Sequence, residues 1–430
     1  MPSFEGLPGF RDFYPAELAV RAHIMNAWRE TARRYGFEEY DGPPLEPLEL
    51  YTEKSGEEIV RQLYNFVDKG ERAVALRPEM TPTFARMVGA RAASMRKPIR
   101  WFSIPQLFRY ERTQRGRLRE HFQWNVDLVG ETDVGADAEV LSVALAALRN
   151  LGLTSSDIVA RVNDRRLLEK LLLKAGVRSE NLIAAYNVID KLGRDSEQES
   201  RRRFREEVML DEAATDRVMR TIEKSDLGAI LDEFGNDADL ALDLDRLRDY
   251  DAQLTDLGFG DYVRFDLRIV RGLAYYTGIV FEIFDRQGEL RAICGGGRYD
   301  SLLKQVSDTD LPALGFGMGD VVLAELLKDK GLLPDTAPHI DCYIVAVSDE
   351  QKPLQRRIAR ALRDAGQSVT YTFTPAGVGR QFKDANARGA RRVIVLGPDE
   401  VRQGLAVVKD MQSGTETKVP VQHLLEGNIQ

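Results

Sequence analysis

The sequence predicts an α+β protein: a large domain of mixed strands and helices over residues 1–330, interrupted by a helical insertion over 165–257, then a small α/β domain over 336–430. Three observations lead there. Ile279, Val280, Phe281, Glu282, Ile283 and Phe284 form a β-branched and aromatic run suited to a buried strand, and the polar stretch 271–278 before it, Arg-Gly-Leu-Ala-Tyr-Tyr-Thr-Gly, falls at the mouth of a sheet. From about Leu151 to Leu257 the composition turns to Leu, Glu and Arg, which suits helices. After His339 the pattern alternates: strand 340–347, helix 355–366, strand 368–373, helix 379–389, strand 391–396. A largely parallel sheet is expected there.

Composition narrows the function classes. The 430 residues, 43% of them hydrophobic, can bury a large core. Cys294 and Cys342 cannot build a disulfide framework and lack zinc-ligand spacing, which fits a reducing compartment. His23, His121, His339 and His423 are too scattered to suggest a metal cluster. The opening Met-Pro-Ser-Phe-Glu-Gly has no basic region followed by an apolar one, and no apolar run approaches a membrane span, so a soluble, cytoplasmic protein with no membrane partner is expected. A net charge of -8 argues against a general nucleic-acid coat but allows local basic faces. Two candidates are 201–205 and 380–392, and each taken alone reads best as a solvated helix face.

In chain order, Pro15 begins a helix whose positions Val20, Ile24, Ala27, Thr31 and Tyr35 recur at helical spacing, and Gly36 ends it. The Gly42, Pro43, Pro44 corner is extended. Residues 76–81 read Leu-Arg-Pro-Glu-Met-Thr. The segment 101–130 reads strand, loop, strand, with Trp101, Phe102, Ile104, Leu107 and Phe108 leading in and 122–129 leading out. Between them Arg112, Gln114, Arg115, Arg117 and Arg119 crowd donors into one loop, which reads equally as a solvated hairpin tip or as the seat of an anionic ligand. Alternation on the outgoing strand puts His121, Gln123, Asn125 and Asp127 on one face. Three glycines, Gly295 to Gly297, precede Arg298, Tyr299 and Asp300 and permit close backbone approach. A second glycine-rich run follows, Leu314, Gly315, Phe316, Gly317, Met318 and Gly319.

Together these motifs resemble the histidyl-tRNA synthetases, which are class II aminoacyl-tRNA synthetases. The stretch 271–278 is similar to their histidine-binding signature Arg-Gly-Leu-Asp-Tyr-Tyr-Thr with Ala274 for the aspartate, and Leu-Arg-Pro-Glu and Gly-Gly-Arg-Tyr-Asp also match. Asn163, Asp164, Arg165, Leu167 and Leu168 resemble the segment that opens the family's insert, and 379–389 with 393–404 resemble its anticodon-binding domain. The resemblance implies a catalytic domain built on a mainly antiparallel sheet, a homodimer through the first helix, and an insert that clamps the tRNA acceptor arm. It implies a histidine–tRNA ligase that uses ATP as substrate with Mg²⁺, needs no zinc or prosthetic group, and takes L-histidine and a histidine-accepting tRNA as partners.

The roles carry over residue by residue. Glu79 and Thr81 hold the histidine amino group, where a carboxylate suits an ammonium. Gln123 and Asp127 meet the histidine ligand, and Tyr275, Tyr276 and Tyr299 enclose the imidazole. Arg109 grips the α-phosphate of ATP, Glu111 contacts adenine or orients Arg109, and His121 stacks on adenine in strict register. Arg271 stabilises the α-phosphate from the other side, so Arg109 and Arg271 are the catalytic pair. Arg112, Gln114, Arg115 and Arg117 face the acceptor end, and Lys383, Arg388, Arg391 and Arg392 face RNA in the last domain. Met80 replaces a glycine, so a local backbone change is expected. Val321 and Val322 stand where the third class II motif has Glu-Arg, as in a branch of the family that includes plant organellar forms, and an arginine of the 112–119 loop is the expected substitute.

Two rivals differ in class. A histidine-sensing paralogue such as the regulatory subunit of ATP phosphoribosyltransferase shares the fold but generally lacks the anticodon domain and an intact histidine motif, both of which are found here. A non-catalytic RNA-binding or signalling relative draws support from Val322 alone.

Overall fold

The computed structural model describes residues 5–52, 60–192, 195–224, 226–271, 275–288 and 290–429. The chain divides into two compact units, Met1–Pro334 and Asp335–Gln430. Gly272, Leu273 and Ala274 of the stretch 271–278 lie outside the described residues.

The strands of the first unit are β1 (Glu38–Glu39), β2 (Leu45–Pro47), β3 (Asn65–Val67), β4 (Ala73–Leu76), β5 (Ile99–Ser103), β6 (Gln106–Phe108), β7 (Glu120–Val129), β8 (Ile158–Asp164), β9 (Val263–Phe265), β10 (Ile279–Asp285), β11 (Cys294–Arg298) and β12 (Ala313–Gly319). Among the described residues, nine of them form one sheet in the order β1-β5-β7-β12-β11-β10-β8-β9, with β6 paired to the start of β7. The end pairs, β1 with β5 and β8 with β9, are parallel and all other pairs antiparallel. The small sheet β2-β4-β3 leads into Arg77 and Glu79.

The two faces of the sheet are set by period-two alternation on β7. Trp124, Val126 and Leu128 are buried on one face in the main core. There the Trp124 ring stacks on Trp28 at 6.0 Å, which docks the helix Pro15–Arg34. The helix Val134–Asn150 lies in the same layer and is buried almost all round, as its apolar sequence requires. The helix Ala241–Asp256, last of the insert, packs against it. On the opposite face, the polar side chains His121, Gln123, Asn125 and Asp127 meet a cavity.

The helix Pro15–Arg34 begins and ends where Pro15 and Gly36 place it, with Gly36 in a left-handed conformation at φ 71°. Residues 165–256 carry helices Arg165–Ala175, Leu182–Ile189, Glu197–Glu206, Glu212–Ile222, Leu227–Phe234 and Ala241–Asp256. Asp164 opens the series by accepting from the Arg166 amide at 2.8 Å, an N-cap. Among the described residues no helix is long and apolar enough to cross a membrane.

The second unit has β13 (Ile340–Ala346), β14 (Val369–Thr370), β15 (Ala390–Leu396), β16 (Leu405–Asp410) and β17 (Glu416–Pro420), ordered β14-β13-β15-β16-β17. The expectation of a largely parallel sheet needs correction. β13 pairs in parallel with β14 and β15, but β15–β16 and β16–β17 are antiparallel. The helix Pro398–Arg402 returns the chain from β15 into β16, and the hairpin at 410–416 turns it back into β17, where the Asp410 carboxylate accepts from the Gln412 and Ser413 amides and Gly414 takes φ 73°. The strand expected over 368–373 shrinks to Val369–Thr370.

Candidate active site

The site is a pair of joined chambers over the polar face of the sheet, and glycine makes room for it. β11 and β12 are neighbours, and a Cβ on Gly315 would overlap the Asp127 carboxylate. One on Gly317 would come within 2.8 Å of the Gln123 amide carbon, and one on Gly295 would overlap the Arg271 guanidinium. These glycines form a floor low enough for three long polar side chains to lie across it.

The inner chamber is small, about 90 Å³. Glu79, Thr81, Gln123, Asp127, Tyr275, Tyr276 and Tyr299 all line it. The three tyrosine rings pack on one another, with centroids 4.9 Å apart for Tyr275–Tyr276 and 5.8 Å for Tyr275–Tyr299. The Tyr299 hydroxyl donates to Asp127 Oδ1. Burial pushes the Asp127 carboxyl up to about 7, and that hydrogen bond works the other way. Thr81 is the first residue of the helix Thr81–Arg91. Met80 is buried with φ -95° and ψ -23°, an ordinary right-handed backbone that a residue with a side chain adopts without strain.

The outer chamber is about 760 Å³. Arg109, Gln123, Arg271, Gly295 and Gly317 border both chambers, so the two arginines stand at the junction. Arg109 Nε donates to the Pro78 carbonyl at 3.0 Å. Arg271 has φ 51°, uncommon for a residue with a side chain and frequent at functional sites. Its Nη1 lies 3.5 Å from Glu282, and its guanidinium sits over the Tyr276 ring at 5.4 Å. Burial opposes its charge, yet Tyr276 and Glu282 hold the pKa above the ordinary value. The buried Nε has no hydrogen-bond partner among the described residues.

Further out, Glu111 is buried and receives Arg117 Nη2 at 2.9 Å. His121 faces the chamber, while Phe122 turns the other way onto Phe13 at 6.2 Å and under Arg21. Burial first, then Arg109 and Arg11, push the His121 imidazole down to about 3, so it is neutral at physiological pH.

The sequence reading missed several braces. Asn163 Nδ2 donates to the carbonyls of Leu267 at 3.2 Å and Ile269 at 2.9 Å, Arg165 to Val270 at 3.3 Å, and Arg166 to Thr277 at 3.0 Å. They hold the stretch carrying Arg271, Tyr275 and Tyr276 from both ends. Arg11 pairs with Glu120 at 2.6 Å and Asp320 at 2.9 Å, fastening the N-terminal segment to the base of β7. Arg298 turns from the cavity into a buried pair with Asp137 at 2.5 Å. Glu282 had one visible signal, a lone charge inside an apolar strand.

The basic loop 109–119 is less free than its sequence suggests. Gln114 accepts from Arg291 Nη2 at 2.7 Å, and Arg115 pairs with Glu325 at 2.8 Å and Asp329 at 3.3 Å. Arg119 donates to the Glu111 carbonyl at 3.1 Å, while Arg112 is exposed. The 201–205 cluster resolves into ion pairs: Arg201 with Asp216, Arg202 with Glu199 and Glu206, Arg203 with Asp195 and Glu207, Arg205 with Glu212. In the second unit Lys383 is exposed, Arg388 pairs with Asp384 at 3.0 Å and Arg391 with Asp341 at 3.6 Å.

A family model described as histidyl-tRNA synthetase matches residues 9–320, and one described as an anticodon binding domain matches residues 341–428. The chain is 43% identical over 423 residues to the histidine–tRNA ligase of Opitutus terrae, spanning 98% of this chain and 97% of that protein. It is 40% identical over 416 residues to the chloroplastic/mitochondrial histidine–tRNA ligase of Arabidopsis thaliana, spanning 97% and 85%. The solved histidyl-tRNA synthetase of a Nostoc species shares the fold with a TM-score of 0.83, at 24% identity and 99% coverage of each chain.

Proposed function

The chain belongs to the histidyl-tRNA synthetase family, whose members are histidine–tRNA ligases, and from that premise we propose how its two chambers divide the reaction. The inner chamber takes L-histidine: Glu79 and Thr81 hold the ammonium, Asp127 and Gln123 read the imidazole, and Tyr275, Tyr276 and Tyr299 wall it in. The outer chamber takes ATP, with Glu111 and the neutral His121 ring against adenine and Arg109 on the α-phosphate. Mg²⁺ arrives with ATP as part of the substrate and offsets phosphate charge.

One observation carries this division. Arg109 and Arg271 border both chambers, at the place where a histidine carboxylate on one side would meet an α-phosphate on the other. A carboxylate oxygen attacks phosphorus, the bond to the leaving oxygen breaks, and pyrophosphate departs with that electron pair. No side chain need move a proton. The two guanidiniums offset charge on the five-coordinate phosphorus, and fixing both reactants there supplies the rest. The terminal ribose hydroxyl of tRNA then bonds to the histidyl carbonyl carbon, the bond from that carbon to the phosphate oxygen breaks, and AMP leaves with the electron pair while its phosphate takes up the hydroxyl proton.

The remaining assignments follow the family. Residues 1–330 form the catalytic domain, 165–257 the insertion at the acceptor arm and 336–430 the anticodon-binding domain, in a cytoplasmic homodimer. Arg112 is the exposed loop arginine best placed for tRNA, and Lys383 its counterpart in the last domain. The test is histidine-dependent exchange of labelled pyrophosphate into ATP without tRNA, run with all twenty amino acids. Exchange with histidine alone is expected, and Arg271→Ala should lower its rate by about 10²–10³-fold. Binding of histidine without any exchange would instead favour a sensing role.

A further inference from the structure

The second glycine-rich run, 314–319, is followed by Asp320, Val321 and Val322, with no cation where the resemblance places an arginine. Val321 and Val322 nevertheless border the outer chamber. β11 and β12 run antiparallel with Cys294 opposite Met318, and the Gly319 amide at the end of β12 donates to the Ile293 carbonyl at 3.3 Å, which brings the segment before β11, with Arg291, alongside the end of β12. The helix Asp320–Asp329 starts there, so the strand pairing ends at Gly319 and Val321 and Val322 sit in the helix's first turn. Arg291 lines the same chamber.

Its surroundings suit a phosphate ligand. Arg291 Nη2 donates at 2.7 Å to the neutral Gln114 amide, and among the described residues no carboxylate forms an ion pair with it. Of the chamber's other cations, Arg117 is paired with Glu111, while Arg109 and Arg271 stand at the junction with the inner chamber, where the proposed α-phosphate lies. The turn that carries Gln114 lies against Val322, since a Cβ on Gly116 would be 3.1 Å from Val322 Cγ2, and Arg115 ties it to Glu325. Val322 therefore serves as an apolar seat for the loop, and the loop aims Arg291.

We propose that Arg291 contacts the β- and γ-phosphates of ATP and the departing pyrophosphate, supplying from β11's leading edge the charge missing at Val322, with Gln114 as its positioning residue. This rests on the outer chamber being the ATP site. It also replaces the expectation that the substitute arginine comes from the 112–119 loop. Arg291 exchanges no proton in the step; it offsets charge on the leaving group as the phosphorus–oxygen bond breaks.

The experiment compares parent, Arg291→Ala, Arg291→Lys and Gln114→Ala in pyrophosphate exchange, and measures their affinity for a histidyl-adenylate analogue with a sulfamoyl link and no β- or γ-phosphate. Arg291→Ala should raise KM for both ATP and pyrophosphate about 10- to 100-fold, as loss of a charge-assisted contact implies, with analogue affinity held within about twofold. Arg291→Lys should recover part of the loss, and Gln114→Ala should show a smaller rise of the same pattern. The proposal is overturned by unchanged KM values in Arg291→Ala, or by an equal loss of analogue affinity, which would mark a structural role. A parent that fails to exchange at all would remove the ATP reading itself, a result recognisable before any variant is measured.

Discussion

Adding one methyl group at Gly295 should separate activity from stability. In Gly295→Ala the new carbon falls on the Arg271 guanidinium, with Cζ at 2.6 Å and Nη2 at 3.1 Å. Gly295 does not have a left-handed backbone, so alanine fits the strand. The overlapped atoms are the far end of a flexible side chain beside a chamber of about 760 Å³, so Arg271 can swing aside. The fold should lose less than about 1 kcal/mol, as at sites without core disruption. Catalysis should lose far more, because removing one oriented donor costs about 2.7–4 kcal/mol of transition-state stabilisation, or about 10²–10³ in rate. Histidine-dependent pyrophosphate exchange and thermal melting, run side by side, test this. Gly379→Ala, in a helix of the second unit with nothing within 4 Å, is the control. Exchange within about threefold of the parent would refute the seat of Arg271, and a large fall in melting temperature would mean the sheet itself had been disturbed.

Asp127, pushed up to about 7 by burial, holds its proton in the folded chain at pH values where an unfolded aspartate, ionising near ~3.9, has lost it. Its contribution is therefore fully present below about pH 4 and falls as pH rises through 7, by about 4 kcal/mol in all. Asp127→Asn should flatten that slope in denaturation curves taken across this range, and parallel curves would count against it. Arg298→Ala strands the buried Asp137 carboxylate, each partner being 5% exposed, and should destabilise the first unit by about 3–5 kcal/mol in urea unfolding. A loss under about 1 kcal/mol would mean that the pair is dispensable. Arg202→Ala should leave the aminoacylation KM for tRNA within about twofold, because Glu199 and Glu206 already neutralise it at the surface. A tenfold rise would return that helix to the RNA interface.

Where function depends on local pattern, it could be read from the residues alone. Alternation along β7 was enough to sort His121, Gln123, Asn125 and Asp127 from Trp124, Val126 and Leu128, since a strand has only two faces. The same alternation put His121 rather than Phe122 toward the chamber. What escaped depends on partners distant in sequence. Gln114 lies 177 positions from Arg291, and neither residue alone signals the bond. The arginines of 201–205 read from the sequence as a solvated helix face, and their ion pairs agree: Glu199, Glu206 and Glu207 sit three or four residues away, and only Asp195, Glu212 and Asp216 need the fold to bring them in. Arg298 and Tyr299 are adjacent and chemically plausible in the same pocket, yet the strand sends them opposite ways, one to Asp137 and the other to Asp127. The hairpin of the second unit was passed over because its turn, Gln412, Ser413 and Gly414, follows a strand with no clear period.

The parallel pairing of β8 with β9 bears on how this architecture can vary. Ala160 lies beside Val263 and Val162 beside Phe265, so the chain must leave the sheet at one end of β8 and come back at the other to begin β9. A hairpin cannot make that journey; parallel neighbours require a crossover of about a dozen residues or more, usually containing a helix. The region 165–262 is thus an enlarged crossover as well as an appendage. Its final helix, Ala241–Asp256, is mortared into the core against Val134–Asn150. Any shortening of the excursion must keep a return strap across the sheet, and because Val188, Phe204, Val218 and Ile230 share one core with the strands, it must also cover the apolar surface that those helices now close.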